Sequence, residues 1–148
     1  MLDSDEQKKA WNEAIKILTR REHSAHEINH KLSSKGFFEE DIEQVLALLQ
    51  EQGYQSDERY SEHYIRHRSN RGYGPRRIRM ELKEKGVSSS TIQSEIEQAE
   101  VDWYELAEQV RAKKFKGLQA QTWEEKGKQK QFLDYRGFTQ EQIESCID

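Results

Sequence analysis

Residues 74–87 read Gly74-Pro75-Arg76-Arg77-Ile78-Arg79-Met80-Glu81-Leu82-Lys83-Glu84-Lys85-Gly86-Val87. A proline suits the first residue of a helix, where its missing N–H has no intrahelical partner to lose. A glycine placed after a cation and before an apolar residue suits the end. Glycine adopts the left-handed conformation, the cation meets the negative helix terminus, and the apolar residue packs back. Between these signals Ile78 and Leu82 share one face, a turn apart. The stretch is a short amphipathic helix with both ends marked.

The same signature occurs three times. Ile28-x3-Leu32-x2-Lys35-Gly36-Phe37, then Ile42 and Leu46, precedes Ile78 through Val87, then Ile92 and Ile96, at a fixed offset of 50. Phe132-Leu133-x2-Arg136-Gly137-Phe138, then Ile143 and Ile147, follows at an offset of 51. Ser24-x-x-Glu27 and Thr139-x-x-Gln142 have capping-box spacing, and Ser88 or Ser89 caps the equivalent helix of the middle unit. Another helix precedes each pair. Its stripes are Ala14, Ile15 and Leu18; Tyr60, Tyr64 and Ile65, capped by Ser56 or Asp57; and Trp103, Leu106, Ala107 and Val110. A looser stretch, 116–121, leads to Thr122-x-x-Glu125, a further capping box. The pattern predicts an all-α, elongated tandem array of three three-helix repeats, with helices of about 10–18 residues. The repeats are 1–58 with an N-terminal extension, 59–102 and 103–148, in one continuous array.

Composition agrees. Of 148 residues, 33% are hydrophobic and 35% charged, too polar for a thick spherical core. One cysteine, Cys146, rules out a disulfide framework and a cysteine-rich zinc site. It precedes the core position Ile147 and reads as a packed thiol. Trp11, Trp103 and Trp123 read as core or inter-repeat contacts. No run approaches ~18 apolar residues, and the first residues are acidic rather than leader-like, which predicts a cytoplasmic protein away from membranes.

The net charge of −4 hides bands of opposite sign. Residues 59–85 hold nine cations, seven of them arginine, against three carboxylates; residues 111–136 hold eight against three. Residues 1–58 hold seven against thirteen, and 86–110 hold six carboxylates and no cation. Arginine suits bidentate phosphate or carboxylate contacts, and Tyr60, Tyr64 and Tyr73 are interleaved as base-stacking residues can be. Arg21 and Arg71 fall where a cation meets the preceding helix end, and Arg68 lies on an apolar stripe. The exposed binding candidates are Arg66, Arg76, Arg77 and Arg79, with Lys113, Lys114, Lys116, Lys128 and Lys130.

His26-Glu27-Ile28-Asn29-His30 matches the H-E-x-x-H zinc-protease pattern. Glu27 is, however, the capping-box glutamate and Ile28 a core position, and no third-ligand motif follows. The match reads as chance, and no catalytic, metal or cofactor site is assigned.

The ordered series S-x-x-E-I-x3-L-x2-K-G-F, Y-x5-D-E-R-Y, G-x-G-P-R-R-I-x3-L-x2-K-G-V and F-L-x2-R-G-F resembles the RecX family, bacterial regulators of the RecA recombinase, from about Ala14 to Ile147. The resemblance implies a small cytoplasmic protein that binds RecA–DNA filaments; the lack of an extended heptad seam predicts a monomer, and the lack of a catalytic motif predicts a protein that is not an enzyme. It implies restraint of filament growth, ATP hydrolysis, strand exchange and co-protease activity, and so a place in recombination, DNA repair and the SOS response. Single- or double-stranded DNA is a further partner, weak alone given the acidic net charge. The second reading is an autonomous DNA-binding helical protein. Gly127 departs from the pattern: inside the helix opened by Thr122 it predicts a later start or a bend.

Overall fold

The computed structural model describes residues 2–147; Met1 and Asp148, the outermost residues of the first and third expected repeats, lie outside them. Among the described residues there are nine helices and no strand. They are α1 (Asp5–Arg20), α2 (Ala25–Ser34), α3 (Glu39–Glu51), α4 (Asp57–Asn70), α5 (Pro75–Glu84), α6 (Ser89–Gln98), α7 (Trp103–Lys114), α8 (Trp123–Arg136) and α9 (Gln140–Cys146). Only α9, with seven residues, is shorter than the expected range.

The local signals act as their chemistry requires. Ser24, Thr122 and Thr139 each close a capping box with Glu27, Glu125 and Gln142. Of the alternatives, Ser56 caps α4 by accepting from Arg59 N at 3.1 Å, and Ser88 caps α6 by accepting from Thr91 N at 3.3 Å. Gly127 neither delays nor interrupts α8, which runs as one helix from its Thr122 cap. The intact box fixes the start, and the glycine faces open space.

The repeat positions form the interior. Ile28, Leu32, Ile42, Ile78, Leu82 and Leu133 are all fully buried, and Ile92 and Ile143 are 2% exposed. Ala10, Ala14, Ile28, Leu32, Ile42, Val45 and Leu49 make one core cluster; Ala107, Leu133, Phe138, Ile143 and Ile147 make another. The chain divides into two compact units. One comprises the residues up to His63 with Leu82–Glu95, the other Tyr64–Glu81 with the residues from Ile96 onward.

Each unit contains a junction between a helix start and a later glycine turn, made by different bonds. In the first, the Ser24 hydroxyl at the start of α2 donates to Lys85 O at 2.7 Å, beside Gly86. In the second, Gly74 N donates to Arg136 O at 2.8 Å, and Arg76 N to Gly137 O at 2.9 Å. Two backbone donors that a helix start leaves without an intrahelical partner are thus satisfied by a glycine turn of the next repeat.

Candidate basic cleft

Tyr73, just before α5, is packed by three arginines. The guanidinium carbon of Arg68 stands 3.9 Å from its ring centre, that of Arg77 4.6 Å and that of Arg136 4.8 Å. Two of these like charges, Arg68 and Arg77, are balanced by Glu81. It accepts from Arg68 Nε and Nη2 at 2.9 Å each, from Tyr64 Oη at 2.9 Å and from Arg77 Nε at 3.3 Å. Burial alone would raise the Glu81 pKa, but the bonds from Arg68, Tyr64 and Arg77 hold it below the ordinary carboxylate value. Arg68 is half-buried, as its place on the apolar stripe predicts.

Arg136 carries this network to the surface. Its Nη1 donates to Arg71 O at 3.0 Å, and its guanidinium carbon lies 5.2 Å from the Phe132 ring centre. Lys114 Nζ is 5.5 Å from that ring. Beside them opens a cleft of about 680 Å³. Arg71, Arg136, Lys113 and Lys114 line it along with Tyr73 and Phe132, and none of its lining residues is acidic. Four cations without a carboxylate create a local positive potential that suits phosphate or carboxylate groups. Stacking on aromatic rings also holds two of the cationic groups in place.

The predicted site residues are dispersed. Lys113 and Lys114 enter the cleft. Arg66 is exposed on α4, and Lys116 and Lys128 are exposed elsewhere. Three supposedly exposed candidates, Arg77, Arg79 and Lys130, are half-buried. Arg77 is drawn in by Glu81, Tyr73 and Tyr135, and its Nη1 donates to Tyr135 O at 3.3 Å. Arg76 is exposed but occupied: Nε donates to Phe138 O at 3.1 Å, and Nη2 to Asp134 O and Oδ1 at 3.0 and 2.8 Å. Reversing Arg76 and Arg77 to Glu would therefore damage the fold as well as any binding surface.

The aromatic expectations change too. Tyr60 is buried and Tyr64 is tied to Glu81, so neither offers an open stacking face. Trp123, expected in the interior, is 89% exposed because it is the first residue after the Thr122 cap and points outward. Trp11 packs edge-on against Tyr54 as a core aromatic should. Burial, with Glu108 alongside, pushes the half-buried Cys146 thiol up to about 11, so the packed-thiol reading stands.

Arg71 and Arg136 escaped the sequence reading as binding residues because both occupy helix-end positions where a capping cation is the ordinary explanation. Arg111 also escaped. It is 1% exposed and bonds Glu108, Leu118 O and Gln129 Oε1. The H-E-x-x-H stretch has a structural account: Glu27 Oε1 accepts from Ser24 N at 3.0 Å, and His26 packs against Gly86. Among the described residues no three His, Cys, Asp or Glu side chains are grouped to hold a metal ion.

Fold and cleft together define an all-α protein of tandem three-helix repeats with a cation-lined surface groove. Sequence profiles described as the first, second and third three-helix domains of RecX match residues 10–49, 56–94 and 100–147. The chain belongs to the RecX family. It is 44% identical to the regulatory protein RecX of Vibrio vulnificus over 134 residues, 90% of this chain and 88% of that one. It is 45% identical to the regulatory protein RecX of Legionella pneumophila over 135 residues, 91% of this chain and 90% of that one. A crystal structure of a regulatory protein RecX superposes with TM-score 0.82 at 26% identity, covering 96% of this chain and 71% of that chain. RecX from Lactobacillus salivarius has the same fold, with TM-score 0.83 at 23% identity over 96% of this chain and 94% of that chain. These relatives are named as regulatory proteins rather than enzymes. Among the described residues no helix is long and apolar enough to cross a membrane.

Proposed function

We propose that the chain is a negative modulator of the RecA recombinase. It binds RecA–DNA filaments and inhibits their growth, ATP hydrolysis, strand exchange and co-protease activity. It acts as a cytoplasmic monomer, without a cofactor and without a reaction of its own. RecX family membership supports the choice of target. The observation that carries the mode of action is the acid-free cleft, which gathers Arg71, Arg136, Lys113 and Lys114 in a chain whose net charge is −4. Such a groove suits the phosphates of filament DNA or an acidic filament surface. The filament-facing set is Arg66, Lys113, Lys114, Lys116 and Lys128, joined at the cleft by Arg71 and Arg136; Arg76, Arg77, Arg79 and Lys130, the other candidates, are half-buried or held within the fold.

The test is titration of RecA's single-strand-stimulated ATPase. Near-stoichiometric protein is expected to inhibit it strongly, whereas no effect at large excess overturns the reading. Lys113→Gln with Lys114→Gln is expected to weaken inhibition roughly tenfold while lowering the melting temperature only slightly, since both side chains are exposed in the last turn of α7 and lose little beyond their contact with the negative helix end. The same cleft favours a second reading, autonomous DNA binding. That reading requires affinity for bare DNA with a salt slope of about 0.9 log units per phosphate contact.

A further inference from the structure

Leu118, between α7 and α8, is 68% exposed yet firmly held. Its carbonyl accepts from the buried Arg111 Nη1 at 2.9 Å and from the buried Gln129 Nε2 at 3.2 Å. Its N–H donates to Phe115 O at 3.0 Å, and the neighbouring Gly117 N to Ala112 O at 2.8 Å. The preceding residue, Lys116, is the single non-glycine residue with positive φ among those described, at 56°. A left-handed lysine, a buried arginine and an exposed leucine each oppose stability. A solvated, flexible connection would have avoided all three. The loop is built to present Leu118.

What it presents Leu118 to follows from the surroundings. Leu118 and Phe115 border a largely apolar hollow of about 510 Å³, rimmed by Lys114, Lys116 and Lys128. The one carboxylate in the lining, Glu125, is already committed: its Oε2 accepts from Gln121 N at 2.7 Å and Thr122 N at 3.4 Å. Phe115 packs at right angles to Phe132 with ring centres 5.7 Å apart, and the exposed apolar side chain beside it is the aliphatic Leu118. An apolar floor with a cationic rim complements an acidic peptide segment carrying a large apolar side chain.

We infer that the Leu118 hollow is a protein-docking site for such a segment. Taking that segment as part of RecA rests on the function proposed above. The hollow adjoins the basic cleft and shares Lys114 with it, but its apolar floor is formed by Phe115 and Leu118, which do not line the cleft.

The experiment measures equilibrium binding of fluorescently labelled protein to RecA filaments and, separately, to a thymidine oligonucleotide. Circular dichroism and melting controls accompany each variant. Leu118→Asp is expected to weaken filament binding roughly tenfold, Lys116→Glu with Lys128→Glu to do the same, and Leu118→Met to stay within about twofold. Oligonucleotide binding is expected to be unchanged by Leu118→Asp. Equal filament binding by wild type and Leu118→Asp overturns the docking site alone. Loss of oligonucleotide binding with filament binding intact also overturns it, by giving the surface to nucleic acid. Wild-type protein that binds no filaments overturns the functional reading, and RecA as the occupant with it.

Discussion

Gly74 and Gly137 meet backbone to backbone: a Cβ on Gly74 would stand 2.5 Å from both the carbonyl carbon and the oxygen of Gly137. Neither atom can move aside without breaking the Gly74 N to Arg136 O and Arg76 N to Gly137 O bonds. The G-x-G-P-R-R sequence is therefore the docking end of α5, and its glycine, proline and arginines act as one piece. Gly74→Ala is expected to destabilise the protein by about 1–3 kcal/mol, as overpacking of a closed contact does. Urea unfolding checks this, and an unchanged midpoint would mean the junction is looser than described.

Arg111 supports the α7–α8 connection from below. Its fully buried guanidinium bonds Glu108 at 2.6 and 3.0 Å, besides Leu118 O and Gln129. Arg111→Met keeps the stem and removes the donors, leaving the buried Gln129 Oε1 without its partner at a cost of about 1–3 kcal/mol. Hydrogen exchange should rise selectively at 115–121. Uniform protection there would show that the loop holds itself.

Gly127 contributes nothing that alanine would not. It is helical, and an added Cβ meets no atom within 4 Å. Gly127→Ala is expected to stabilise the protein by about 0.5–1 kcal/mol through lower unfolded-state entropy and better helix propensity. A raised melting temperature with unchanged activity is the readout; a lowered one would mean this face is covered.

Stability should depend on pH through His23, which is 3% exposed and donates from Nδ1 to Arg21 O at 3.0 Å. Burial pulls its pKa below the ordinary imidazole value, against the effect of that bond. The unfolded chain therefore takes up a proton first as pH falls. The stabilisation is complete above about 6.5 and is lost as pH drops through that value toward the lower folded pKa. Glu81, also depressed, adds a second loss at lower pH, below the ordinary carboxylate value of 4.5. Urea midpoints at pH 7.5, 6.5 and 5.5 should decline for wild type and stay level for His23→Gln. Parallel curves would rule His23 out as the source.

The helices and their three-fold recurrence were legible because their determinants are short-range. A capping box spans four residues, as at Ser24–Glu27 and Thr139–Gln142. A glycine stop is recognised from its two neighbours, as at Lys85-Gly86-Val87. Burial at Ile78 and Leu82 repeats with the helical period. By themselves these features determined an all-α chain of tandem three-helix units and the residues of its interior.

Which cations remain available was decided by tertiary structure alone. Arg76 and Arg77 look like the most exposed basic pair in the sequence. The last turn of α8 and the residues just after it occupy both, some 60 residues downstream, because their carbonyls are the acceptors that face the start of α5. Arg71, Lys113, Lys114 and Arg136 have no local pattern in common. They form one cleft only because packing brings three separate segments together around Tyr73 and Phe132. Charge acts through space and capping acts along the chain, so sequence order could locate the helix ends but not the groove.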